Sequence, residues 1–161
     1  MALRTIRELG DPILRKTSKE VREITPRVRQ IVEDMLETMY ADNGVGLAAP
    51  QIGILKRIVV IDVGEEQEEP YILINPEILS VSGSQTGHEG CLSVPGKSGI
   101  VTRPNEVEVR AFDENMRAFT LKGSGLLARA VCHEVDHLDG KMYVDLVEGD
   151  LVDVEDLEEA D

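Results

Sequence analysis

A chain of 161 residues, 42% of them apolar, has the length of one ordinary domain and enough apolar material for a core, which five aromatics and no Trp make an aliphatic one. Its 17 basic and 31 acidic residues give a net charge of −14, which argues against a nucleic-acid binder, because phosphates call for a cationic face and base stacking for aromatics. No run of about 18 apolar residues suits a membrane span, the charged start from Met1 to Gly10 lacks the apolar stretch of a secretion signal, and two cysteines, Cys91 and Cys132, make no disulfide framework, so a reducing cytoplasm is the expected setting.

In chain order, Asp11-Pro12 before Ile13 and Leu14 predicts a short helical turn. A long helix follows: Thr25 can cap its N-terminus, Pro26 suits the first helical position, and Val28, Ile31, Val32, Met35, Leu36 and Met39 recur at 3–4 spacing until Asn43-Gly44 ends it. Gly44 to Gly53 is glycine-rich and apolar. Arg57 to Val63 reads as a buried strand, and Glu65, Glu66, Glu68 and Glu69 as an acidic loop. Tyr71 to Ser80 is strand-like, with an edge or a break expected at Asn75-Pro76 because Pro donates no ladder hydrogen bond. Val107–Phe112 and Met116–Leu121 alternate around Asp113-Glu114-Asn115 and predict a hairpin. A second helix is expected from about Ser124 to Leu138, closed by Gly140. Strands and helices at separate places predict an α+β fold: a single domain of mostly antiparallel strands around a central helix, plus the long helix of the N-terminal half. The domain is expected to span residues 1–147. The acidic segment 148–161, with eight acids and no Lys or Arg, reads as a solvated tail dispensable for chemistry, although Leu151, Val152, Val154 and Leu157 could pack as a short strand or turn.

The sharpest local signal is His133-Glu134-Val135-Asp136-His137 on the second helix. At 100° per residue the two histidines lie about 40° apart and can grip one ion, while Glu134, about 100° round from His133, can reach a water on that ion without ligating it. That division of labour suits a metallohydrolase, in which the metal acidifies water and a carboxylate takes the proton. Leu127, Val131, Val135 and Leu138 fall about 120–200° from His133, so a separate arc of the helix supplies its core face. A third ligand is needed, and the chain has only one other His, His88. Cys91, in Glu89-Gly90-Cys91-Leu92-Ser93, offers a thiolate; a small buried hydrophobe is the other fate open to it. Leu126 sits about 20° from His133 and, with Val45 and Ala130, would wall an apolar pocket, with Arg129 at its rim.

Three segments in order resemble the peptide deformylase family: Gly44-Val45-Gly46-Leu47-Ala48-Ala49-Pro50-Gln51, Glu89-Gly90-Cys91-Leu92-Ser93 and His133-Glu134-Val135-Asp136-His137. The resemblance extends from about Ile6 to Val144. It implies a cytoplasmic, monometallic hydrolase of bacterial protein biosynthesis that removes the formyl group from N-formylmethionyl nascent peptides and releases formate. It implies that Cys91, His133 and His137 hold one divalent ion, with a water completing the tetrahedron; Fe(II) is the family's usual metal, and Zn(II), Ni(II) and Co(II) are accepted. Glu134 would then be general base and acid, and the amide of Leu92 and the carboxamide of Gln51 would bind the oxyanion. Gly44, Val45 and Gly46 would offer backbone to an extended substrate, the apolar pocket would take the Met side chain, and Asp136 would pair with Arg103.

Two features depart from the family pattern. The residue before the third motif is often Gln in the family and is Cys132 here. Some members dock near the ribosomal exit tunnel through a basic C-terminal helix, which the acidic segment 148–161 does not offer. Neither a membrane nor a nucleic acid is expected as a direct partner. A small metalloprotease would need a third His or Glu downstream of the helix motif. A blue-copper centre would need an axial ligand such as Met142, and it would leave Glu134 without a role.

Overall fold

The computed structural model describes residues 2–64 and 69–155. Glu65, Glu66 and Glu68 of the expected acidic loop and the acidic segment from residue 156 onward, Leu157 included, lie outside the described residues. The Pro12–Arg15 segment is a single 3₁₀ turn capped by Asp11. Helix α1 runs Pro26–Ala41, and the Thr25 hydroxyl accepts from the Val28 amide at 3.2 Å, so the cap and the first-turn proline act where expected.

Strands β1 (Gly46–Ala48), β2 (Ile58–Ile61), β3 (Tyr71–Ser82), β6 (Glu106–Phe112) and β7 (Ala118–Ser124) form a sheet in the order β1-β2-β3-β6-β7. Strands β4 (Gln85–Cys91), β5 (Val94–Arg103) and β8 (Glu148–Asp153) form a second sheet in the order β4-β5-β8. Neighbouring strands in both are antiparallel. Helix α2 runs Leu126–Leu138, and Gly140 follows it at φ 75.

The unbroken apolar run of β2 has a simple cause: both of its faces are covered. Val59 and Ile61 face α2, packing with Val131, Val135 and Leu138, while Ile58 and Val60 face α1, packing with Ile31, Met35 and Met39. A third cluster, Leu14, Val94, Val101, Met142 and Tyr143, lies under the smaller sheet. Helix α2 also touches β5, so one helix is held between the two sheets. The fold is α+β, with this helix at its centre.

Two expectations are corrected. Asn75-Pro76 neither breaks β3 nor puts it at the sheet's edge, since β3 is the middle strand of five. Pro76 falls where the ladder to β6 is irregular, between Ile74 and Glu77, so its missing N–H costs no regular pair. Asn75 takes a left-handed φ of 53, and its carboxamide accepts from the Val21 amide at 2.8 Å and donates to the Val21 carbonyl at 2.7 Å. The second correction concerns residues 148–153, which take the short-strand alternative, as β8, rather than that of a solvated tail. Lys97 stands opposite Asp153 and Ser98 opposite Val152, and Leu151 packs on the third cluster. The apolar residues of this segment give it a face to bury despite its charge.

Candidate metal centre

Helix α2 brings His133 and His137 to one side, as the 100° spacing requires. Their Nε2 atoms are 3.2 Å apart, and the Cys91 Sγ is 3.4 Å from His137 Nε2. The three donor atoms all lie within 4.8 Å of one another. Metal–nitrogen and metal–sulfur bonds of about 2.05 and 2.3 Å in a tetrahedron place N and N about 3.3 Å apart and N and S about 3.6 Å apart. The constellation therefore fits a single divalent ion. The second nitrogen of His133 supports the same reading: Nδ1–H donates to Glu89 Oε2 at 2.7 Å, which leaves Nε2 as the donor facing the ion.

Cys91 ends β4, and Leu92 and Ser93 form the turn into β5, with Cys91 opposite Val94. The thiolate is thus presented from a hairpin end rather than a loose loop. Gln51, 1% exposed, sits in the 3₁₀ turn after β1. Its Oε1 accepts from the Ala48 amide at 2.9 Å, which fixes the carboxamide so that Nε2 donates to Ser93 Oγ at 3.0 Å and approaches Cys91 Sγ at 3.5 Å. A turn residue bonded to its own backbone and a donor aimed at the metal centre are here the same residue.

Glu134 is buried, with Oε2 4.0 Å from His133 Nε2. Its Oε1 has no hydrogen-bond partner among the described residues. Burial lifts its carboxyl to about 7, with His133 opposing. Gly46 makes room for it: a Cβ there would stand 2.6 Å from Glu134 Oε2. A cavity of about 720 Å³ opens on these groups. Gly44, Val45, Gly46, Leu126, Arg129 and Ala130, the residues expected to meet substrate, all line it, and so does Leu92. Val45 and Leu126 are 38% and 52% exposed, so apolar surface is offered to an incoming group.

This architecture is that of a known family. The family model for polypeptide deformylase matches residues 3–150. The chain belongs to the peptide deformylase family. It is 60% identical over 159 residues to the peptide deformylase of Lachnoclostridium phytofermentans, covering 99% of this chain and 98% of that protein. It is 62% identical over 154 residues to that of Agathobacter rectalis, covering 96% of each. The crystal structure of a peptide deformylase from Legionella pneumophila superposes with a TM-score of 0.89 at 44% identity, covering 91% of this chain and 87% of that one. One from Synechococcus elongatus in complex with actinonin gives 0.87 at 46%, covering 96% and 84%. The chain is accordingly a metal-dependent deformylase that removes N-formyl groups, with one divalent metal cofactor and N-formylmethionyl peptides as substrates.

In this deformylase the sequence reading missed Glu89. Its carboxylate, 6% exposed, accepts from Arg103 Nε and Nη2 at 3.1 and 2.7 Å, from Arg129 Nη1 at 2.9 Å and from His133 Nδ1. Burial alone would raise its pKa, but His133 and Arg103 outweigh it and hold the group at about 2. Arg103 also donates to Asp136 Oδ2 at 2.7 Å, the pair the resemblance implied. Arg129 lines the cavity and is also tied inward. It is buried, with Nη1 on Glu89 and Nη2 donating to the Val101 carbonyl at 3.1 Å. Ser93 and Tyr143 were missed too; the Tyr143 ring stacks on His133 with centroids 6.0 Å apart. Cys132 packs in the core, where burial pushes its thiol up to about 11, and His88 is exposed and outside the donor cluster.

Arg103→Met should cost about 3–5 kcal/mol in a denaturant titration, the usual penalty for breaking a buried ion pair. Metal affinity should also fall about 10–100-fold, because Glu89 would hold His133 less firmly. A stability loss below about 1 kcal/mol, the scale of a surface pair, would show that the network is not structural.

Proposed function

We propose that Cys91, His133 and His137 hold Fe(II) in the cell, with Zn(II), Ni(II) and Co(II) as working substitutes, and that the enzyme deformylates nascent chains in the cytoplasm. The observation that carries this reading is the convergence of three mixed N/S donors beside a buried carboxylate oxygen that has no hydrogen-bond partner among the described residues. The imidazole and thiolate set suits these metals. Among the described residues no helix is long and apolar enough to cross a membrane. Residues 148–155 carry four acids and no Lys or Arg.

A divalent ion bound at these donors supplies Lewis acidity that lowers the pKa of a water. Glu134 takes a proton from the attacking water as the oxygen bonds to the formyl carbon. Gln51 Nε2 and the Leu92 amide donate to the oxygen that gains negative charge. A neutral donor such as Gln51 stabilises that oxygen without quenching the nucleophile. Glu134 then passes the proton to the amide nitrogen, the C–N bond breaks, and formate and the free α-amine leave. Its raised pKa suits both duties, since a base and acid in one cycle works best near the operating pH.

Gly44, Val45 and Gly46 present main chain to the extended peptide, which adds as a strand. Val45, Leu126 and Ala130 receive the Met side chain. Arg129, which lines the same cavity, also supports the site through Glu89 and His133. Formate release from a formyl-Met tripeptide, compared with its acetyl counterpart, tests the reading; equal turnover of both would contradict it. Leu126→Glu should raise KM for formyl-Met substrates by at least about tenfold, the scale of discrimination in an apolar pocket, with metal content unchanged. An unaltered KM would remove Leu126 from the pocket.

A further inference from the structure

Strand β8 contributes no residue to the donor cluster of Cys91, His133 and His137, yet the chain reaches the catalytic cavity directly after it. Val154, 36% exposed, lines that cavity together with Pro95, Gly96 and Lys97 of β5. The placement follows from the ladders. Between the pairs Glu89–Gly99 and Cys91–Val94, one residue of β4, Gly90, faces four residues of β5, Pro95 to Ser98. This excess cannot pair regularly with β4. It pairs with β8 instead, Lys97 opposite Asp153 and Ser98 opposite Val152, and an ion pair joins Lys97 to Asp153.

Packing locks β8 in the same position. A Cβ at Gly99 would stand 2.6 Å from Val147 Cγ2 and 3.1 Å from Leu151 Cδ2, so the missing side chain is what admits both residues. Leu151 and Val147 rest on the third core cluster, whose Tyr143 stacks on His133. Val154 is therefore carried by a strand fixed to the core.

The cavity, at about 720 Å³, falls in the range of about 300–1,000 Å³ that encloses drug-sized ligands, larger than one formyl-methionyl residue. Its inner wall of Val45, Leu126 and Ala130 is taken by the Met side chain in the proposed function, on which this inference rests. We infer that Val154 and the β5 bulge at Pro95 and Gly96 form the subsite for the residues that follow formyl-methionine. The C-terminal strand thereby makes this enzyme selective for the size of the second or third residue of its substrates.

The test compares wild type, Val154→Ala and Val154→Phe on formyl-Met peptides in which the second or the third residue is Ala or Phe. The readout is the ratio of kcat/KM for the Phe peptide to that for the Ala peptide. Val154→Ala should raise this ratio and Val154→Phe lower it, each by at least about fivefold and mainly through KM, on the scale of steric discrimination in apolar pockets. A purely structural role would lower both peptides together and leave the ratio fixed. Should Val154→Phe fold poorly, Val154→Ala alone decides the outcome, because it removes atoms at a half-exposed position. Ratios within twofold of wild type at both positions would overturn the inference. Absence of formate from every peptide with the wild-type enzyme would overturn the functional reading beneath it.

Discussion

Glu134→Gln is expected to abolish most turnover while leaving metal and fold in place. Gln has the shape of Glu and cannot accept the water's proton, so only the proton transfer is removed. Such groups contribute about 10² to 10⁴ in rate, and kcat should fall by at least that order. Metal content should hold, because Glu134 stands outside the donor cluster of Cys91, His133 and His137. Stability should hold or rise, since the substitution removes a buried ionisable group whose Oε1 has no partner among the described residues. Turnover within about threefold of wild type would be far below the general-base range and would exclude Glu134 from proton transfer.

Cys91→Ser should have the second large effect, and on a different observable. The hydroxyl is a poor thiolate substitute for a borderline-soft ion, so one of three donors is lost. Bound metal per chain should fall well below one, with turnover reduced by more than the about 10–100-fold that follows loss of a supporting contact. Cys132→Ser separates this from a general thiol effect. Cys132 packs with Val131 and Val135 in the core and is not a member of the donor cluster. That variant should lose on the order of 1–3 kcal/mol of stability for its buried hydroxyl and keep its metal. Full metal and full turnover in Cys91→Ser would refute the thiolate ligand.

The parts of the molecule that were legible in the sequence are those whose cause is local. Thr25, Pro26 and a 3–4 apolar repeat act within a few residues of one another, and α1 begins where they place it. The two histidines share a face because a helix requires it. Strand β4 was not legible: Gln85–Cys91 has no apolar alternation, and its conformation follows from pairing with β5. Glu89 was invisible for the same reason. Its donors Arg103, Arg129 and His133 lie 14, 40 and 44 residues away, so only the folded chain shows that four hydrogen bonds meet there. The wheel placed Arg129 beside the histidines, and that was sound. Arg129 lines the cavity as well, and what the wheel could not show is the buried carboxylate of Glu89 that its guanidinium meets. Net charge misdirected the reading of β8, where Val147, Leu151 and the space above Gly99 outweigh the exposed acids.

The most direct test of the account is a metal titration read by chemistry. The enzyme is stripped with a chelator, Fe(II) is returned in measured steps without oxygen, and formate release from a formyl-Met tripeptide is recorded at each step. Three donors converging on one point predict that activity rises linearly and stops at one ion per chain. Full activity in the stripped enzyme, or a rise that continues to two ions per chain, would contradict a single catalytic metal held by Cys91, His133 and His137.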